Sequence, residues 1–160
     1  PKEIKEPIKI MHAPTDKTFK GTKYIIAAIK DLKSEGFNII YDQVENVTHN
    51  ELIERYKQCD IFIDQISAGW YGTAALEAMA IGRPTCAFID PLYFQYIEYE
   101  NEIPVVNVSK ENIVEQLRLL LNDTSRLTEL SKRSRNFVEK YHEVGSVSER
   151  LLKIYESLWK

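Results

Sequence analysis

DIFIDQISAGWYGTAALEAMAIGRP, residues 60–84, decides how this chain is read. It opens with a short apolar strand, residues 61–64, and passes through a loop carrying Gly69 and Gly72. A helix is expected over residues 71–81, closed by Gly82 with Pro84 two positions on. A strand that runs through glycines into a helix start leaves unpaired N–H groups and a positive dipole end facing outward, which suits an anion. The helix is almost entirely small and apolar, so it is expected to lie buried against a sheet. Its polar exceptions, Thr73 and Glu77, are four apart and share one face. A carboxylate on a buried helix is costly and needs a partner.

Working outward, strands are expected at residues 8–13, 37–41, 61–64, 85–89 and 105–108. Helices are expected at 21–35, from Thr48 to residue 58, from Ser109 to residue 121, at 125–141, and from Ser146 to residue 159. Thr48 with Glu51, and Ser146 with Glu149, both have the spacing of a capping box. Strands alternating with helices predict an α/β fold, a Rossmann-like parallel sheet with helices on both faces. In such sheets ligands bind beyond the carboxyl ends of the strands. The candidate residues fall in those places, at 12–20, 43–47 and 65–73.

Three segments together resemble the C-terminal donor-binding domain of GT-B retaining glycosyltransferases of the glycosyltransferase-4 type. LEAMAIGRP, residues 76–84, looks like that family's run from the donor loop into its helix. FKGTKYIIAAI, residues 19–29, looks like its Lys-Gly helix start, and VTHNELIERYKQCDIFI, residues 47–63, like the helix and strand before the donor loop. The resemblance implies the C-terminal half of a GT-B fold and a nucleoside-diphosphate sugar of UDP or GDP type as substrate, with no separate cofactor. It implies that Lys20, helped by Lys17 in place of the family's arginine, stabilises the leaving diphosphate, and that the amides of Gly72 and Thr73 receive phosphate. Glu77 would hold the ribose, and the loop at Val44–Val47 would border the base. The family's E-x7-E pattern departs here, because Gly69 stands where its first Glu would be.

Each candidate has an ordinary alternative. Lys17 and Lys20, in HAPTDKTFKG, can be solvated loop lysines. Trp70 and Tyr71 can stack on a sugar or base, or pack over the loop. His12 can hold phosphate, or be a satisfied structural histidine. Arg133 and Arg135 in SKRSRN read as a solvated face; peripheral membrane association of the full-length enzyme is the other reading.

A length of 160 residues fits one domain with a real core, and 44% hydrophobic with 28% charged residues is ordinary for a globular protein. A net charge of −3 gives no global case for nucleic acid. No apolar run reaches the roughly 18 residues that span a bilayer, and no leader pattern opens the chain. Two cysteines in apolar context, Cys59 and Cys86, suit a reducing, cytoplasmic compartment. Three scattered histidines and the lack of D-x-D predict a metal-independent site. There is no P-loop and no G-x-G-x-x-G. The chain begins at Pro1, and the expectation is a single domain over residues 1–160 whose N-terminal acceptor domain lies outside it. Alone it is expected to be inactive. A GT-B isomerase such as a UDP-sugar 2-epimerase, or a non-catalytic GT-B-like regulatory or assembly module, are the alternatives, and Gly69 favours the second. A response-regulator-like domain lacks the acidic cluster it would need after the first strand.

Overall fold

The computed structural model describes residues 6–159. Five strands form one parallel sheet: β1 (Ile8–His12), β2 (Ile39–Gln43), β3 (Ile61–Ile63), β4 (Thr85–Ala87) and β5 (Val106–Asn107). Their order is β2-β1-β3-β4-β5. The register pairs Ile8 with Ile39 and His12 with Gln43 on one side of β1, and Ile10 with Ile61 and His12 with Ile63 on the other. The chain leaves β1 in one direction and returns on its other side as β3. The switch point therefore lies between the carboxyl ends of β1 and β3, where a crevice opens in folds of this kind.

Seven helices accompany the sheet among the described residues: α1 (Lys17–Lys20), α2 (Thr22–Ser34), α3 (His49–Gln58), α4 (Thr73–Ala80), α5 (Ile113–Asn122), α6 (Thr124–Tyr141) and α7 (Val144–Leu158). Side chains alternate across the strands and so feed two cores. Ile10, Ile61 and Ile63 pack with Ile25, Ile29 and Leu32 of α2 and with Leu117 and Leu120 of α5. Met11 and Phe62 point the other way, into a cluster with Tyr56 of α3 and Ala78 of α4. A third cluster joins Ala75 and Met79 of α4, Ala87 of β4 and Phe137 of α6. Strands buried on both faces read as continuous apolar runs, as IFI does.

The α/β expectation holds, and several boundaries are corrected. Residues 17–20, expected as loop, form one helical turn, because Asp16 accepts from the Thr18 and Phe19 amides and Gly21 closes it at φ 77°. β2 begins two residues later than expected, since its register against β1 starts at Ile39. The capping box of Thr48 and Glu51 is present with both of its bonds. That of Ser146 and Glu149 is not: Glu143 caps α7 three residues earlier, accepting from the Gly145 and Ser146 amides. Ser109 opens a turn instead of capping α5, whose N-cap is Asn112. Short 3-10 turns at Pro91–Tyr96 and Glu100–Glu102 fill a segment the sequence left unassigned.

Helix α7 leaves Leu151, Leu152, Ile154, Tyr155, Leu158 and Trp159 exposed. No helix among the described residues is long and apolar enough to cross a membrane. Cys59 and Cys86 are both buried, and burial pushes the Cys86 thiol up to about 12.

Gly21 joins α1 to α2 where the loop after β1 crosses the loop after β3. A Cβ there would sit 2.5 Å from Ile66 Cγ1, and φ is positive. Gly21→Ala is expected to destabilise the domain by about 2 kcal/mol, since a strained φ and a buried clash act together. Urea unfolding of wild type and variant measures this, and equal midpoints would show that the crossing is loosely packed.

Candidate functional site

The site is built from the loops that follow β1 and β3. After β1 the chain makes α1, and Lys20, its last residue, turns inward and is 8% exposed. After β3 comes Asp64, whose side chain is fully buried. Its Oδ1 lies 2.5 Å from Lys20 Nζ, and its Oδ2 accepts from the Gly72 amide at 2.8 Å. One carboxylate thus joins both loops to the start of α4. The backbone adds a bond from the Ile66 amide to the Lys20 carbonyl, 3.2 Å. Gln65 donates its side-chain amide to the Trp70 carbonyl and fixes the middle of the second loop.

His12 closes the floor of this crossing. Its Nδ1 lies 2.8 Å from the Ile63 carbonyl, and its Nε2 lies 2.9 Å from Thr22 Oγ1. A carbonyl only accepts, so Nδ1 carries the proton and Nε2 accepts from the threonine hydroxyl. Both ring nitrogens are satisfied in a fully buried residue. Burial is the largest influence on its pKa and lowers it, keeping the ring neutral. The structural reading of His12 is the one the geometry carries.

The sequence candidates separate. Lys20, Gly72 and Thr73 come together at the N-terminus of α4. Gly72 is corrected in one respect: its amide is already engaged by Asp64, so it is not the free donor expected. Among the described residues none accepts from the Thr73 amide. Gly72 has an extended φ of −96°, so space is what requires glycine there. A Cβ would sit 3.2 Å from Asp64 Oδ2 and 3.6 Å from Lys20 Nζ. Lys17 sits on α1 but points away, exposed and paired with Glu45 Oε2 at 2.9 Å. The Glu45 carboxyl is held below its usual range by the Gln43 side-chain amide first and Lys17 second.

Glu77 is not the buried carboxylate the sequence suggested. Its side chain is 29% exposed, at the seam between α4 and the start of α3, with His49 Nδ1 3.9 Å away. Beneath it lies Tyr56, whose hydroxyl is buried without a hydrogen-bond partner. Burial first, and the Glu77 carboxylate second, push that phenol up. Tyr71 is also corrected. Its ring is buried, stacked on Trp70 at 4.9 Å and edge-on to Phe137 at 6.2 Å, so it belongs to the core and presents no face to a ligand. Gly69 has φ 79°, and a Cβ there would lie 3.2 Å from Tyr93 Cε2. Val47 borders a hollow of about 330 Å³ with Pro14, Val44, Asn46 and Leu52, between the loops after β1 and β2.

Asp64, Gln65 and Tyr56 were not singled out as site residues by sequence. Asp64 carried a signal nonetheless: a carboxylate closing the apolar run DIFID must be paired once buried. Among the described residues no group of three or more His, Cys, Asp or Glu is placed to hold a metal ion.

Comparison with known proteins places this arrangement. Residues 41–137 match the family described as Glycosyl transferases group 1, which is more than half of the chain. The chain belongs to that family. No individual curated protein shows significant sequence similarity to it. Among solved structures it is similar to sucrose-phosphate synthase from Thermosynechococcus elongatus, with a TM-score of 0.69 and 18% identity over 96% of this chain and 46% of that one. It is similar to S. aureus TarM, solved with UDP, at TM-score 0.71 and 13% identity over 97% and 36%. The third is Anabaena HepE in complex with UDP-glucose, at TM-score 0.67 and 12% identity over 95% and 49%. The chain spans only about a third to a half of the length of these proteins. At such identities the likeness speaks for the fold, the C-terminal half of GT-B.

The buried neutral His12 makes stability depend on pH. An unfolded histidine titrates near about 6.5, whereas the folded one titrates lower. The unfolded chain therefore binds the extra proton first as pH falls below that value, and stability present above it is lost on the way down to the folded pKa. Urea unfolding between pH 7.5 and 5 is expected to show this loss, and His12→Gln to flatten it. An identical slope in both proteins would assign the loss to other groups.

Proposed function

We propose that this chain is the donor-binding half of a metal-independent retaining glycosyltransferase that uses a nucleoside-diphosphate sugar of UDP or GDP type. The observation that carries the reading is the convergence of the Lys20 ammonium with the N-terminus of α4 at the switch point of the sheet. A diphosphate there meets a cation and the positive end of a helix together, which suits charge that grows on a leaving group. Thr73 offers the amide, and Glu77, one turn further along α4, stands at the rim where ribose hydroxyls would reach it. The hollow beside Val47 receives the base.

The acceptor domain belongs to the full-length protein outside these residues. Supporting this, α7 carries an exposed row of large apolar side chains that the described residues leave uncovered. Half a cleft binds the donor but cannot align an acceptor with it, so the rate gained from orientation is absent. A non-catalytic relative is the second reading, and Gly69 is the observation that favours it, because no carboxylate projects from that position.

Ligand-observed NMR with UDP, GDP, ADP and TDP tests the donor site. UDP or GDP is expected to bind, and EDTA is expected to leave the affinity unchanged; binding that disappears with chelator overturns metal independence. Lys20→Met should weaken binding by about 1–3 kcal/mol, the range for a lost charge-assisted contact. Circular dichroism checks that the variant stays folded.

Glu77→Gln keeps the side chain's shape and removes its charge. Wild type is expected to prefer UDP over 2′,3′-dideoxy-UDP, and the preference should shrink in the variant. Equal binding of both ligands by both proteins would make Glu77 a structural carboxylate.

A further inference from the structure

Asp64 is the unexpected group in this site. By Coulomb's law alone a carboxylate beside a diphosphate repels it, and a fully buried one carries a desolvation cost as well. Its geometry offsets that cost: both oxygens are used, one on the Lys20 ammonium at 2.5 Å and one on the Gly72 amide at 2.8 Å. Lys20 is the last residue of a four-residue helix, and its long side chain would otherwise sample many rotamers. Lys17, one turn earlier, is held differently: it is 58% exposed and pairs across the surface with Glu45. The ammonium of Lys20 has three donors, and a single one satisfies Asp64, so two remain for a ligand.

We propose that Asp64 is a positioning residue: its buried carboxylate locks the Lys20 ammonium against the N-terminus of α4 in the orientation that receives the ligand's phosphates. The proposal rests on the donor-site reading above. Asp64 touches no ligand itself; it acts through Lys20 and through the Gly72 amide. Gly72 belongs to the same device, since its amide holds the second carboxylate oxygen and a Cβ there would crowd that oxygen at 3.2 Å.

The test is a double-mutant cycle on the whole chain, with UDP and inorganic pyrophosphate as probes in titration calorimetry. Asp64→Asn, which keeps the shape and removes the charge, is expected to weaken both probes about tenfold, within the range of coupling between contacting residues. In a Lys20→Met background the same change is expected to have no further effect. A purely structural role would lower the melting temperature without making the affinity loss depend on Lys20. Affinity unchanged or tighter in Asp64→Asn overturns the proposal, as does an equal loss in both backgrounds. Wild type that binds UDP while the cycle fails removes this proposal alone; wild type that binds neither UDP, GDP nor pyrophosphate removes the donor-site reading with it. Should Asp64→Asn fail to fold, reductive methylation of the wild-type chain decides. Lys20 is expected to react more slowly than Lys17, since its amine is buried on Asp64 whereas that of Lys17 lies at the surface. Equal rates would show that Asp64 does not hold it.

Discussion

The contact on which the rest of the site depends is the one between Lys20 and Asp64, closed onto the Gly72 amide. It joins three elements that are remote in sequence: the turn after β1, the end of β3 and the start of α4. Burying two charges costs several kcal/mol per ion, and a single ion pair in isolation rarely offsets that. The bond from Gly72 satisfies the second carboxylate oxygen, so no charge or lone pair on that side is left orphaned. The pair is neutral overall, and Lys20 is the more accessible partner, its side chain 10% exposed against none for Asp64. His12 supports it from below by tying β1, β3 and α2 together without adding charge.

The elements legible in sequence were those whose signals are local and uncontested. The α3 start, with Thr48 and Glu51, formed as written. The same pattern at Ser146 and Glu149 failed because Glu143 offered a cap first, and its carboxylate took the Gly145 and Ser146 amides. A capping box names residues able to cap; which one does so depends on where the preceding helix lets go. Here α6 ends at Tyr141 and leaves room for α7 to begin at Val144. The shift of β2 has another cause. In GFNIIYDQ the apolar residues alone allow several starts, and pairing of Ile39 with Ile8 chooses among them. The turn of α1 was read as loop: DKTFKG has Asp before the turn and Gly after it, but one helical turn has no periodicity to reveal it.

The site was legible to the level of its segments and less so to the level of its atoms. Lys20 and the α4 terminus can be placed from sequence because strand ends, glycines and a helix start define them. That Asp64 would take the Gly72 amide is a contact between residues 64 and 72, set by how the loop folds back. That it would also hold Lys20 spans 44 residues and is a tertiary fact. Tyr71 shows the same limit in reverse. An aromatic residue in a glycine loop suits a ligand platform, but Phe137 and His142, far along the chain, enclose its ring.

Gly69 is best understood with the residues around it. Its positive φ already disfavours any side chain, and Tyr93 fills the space into which one would project. Tyr93 is placed by the 3-10 turn that Asp90 caps, and the Asp90 amide in turn donates to the Gly69 carbonyl at 2.9 Å. Trp70 lies between, stacked on Tyr71 and edge-on to Tyr93 at 5.8 Å. Glycine at 69, the aromatic wall and the 90–93 turn therefore form one packed unit. A carboxylate at this position would strain the backbone at 69 and press on Tyr93, so the glycine is tied to the packing of the whole loop. This side of the loop presents aromatic rings and backbone where the family pattern has an acid.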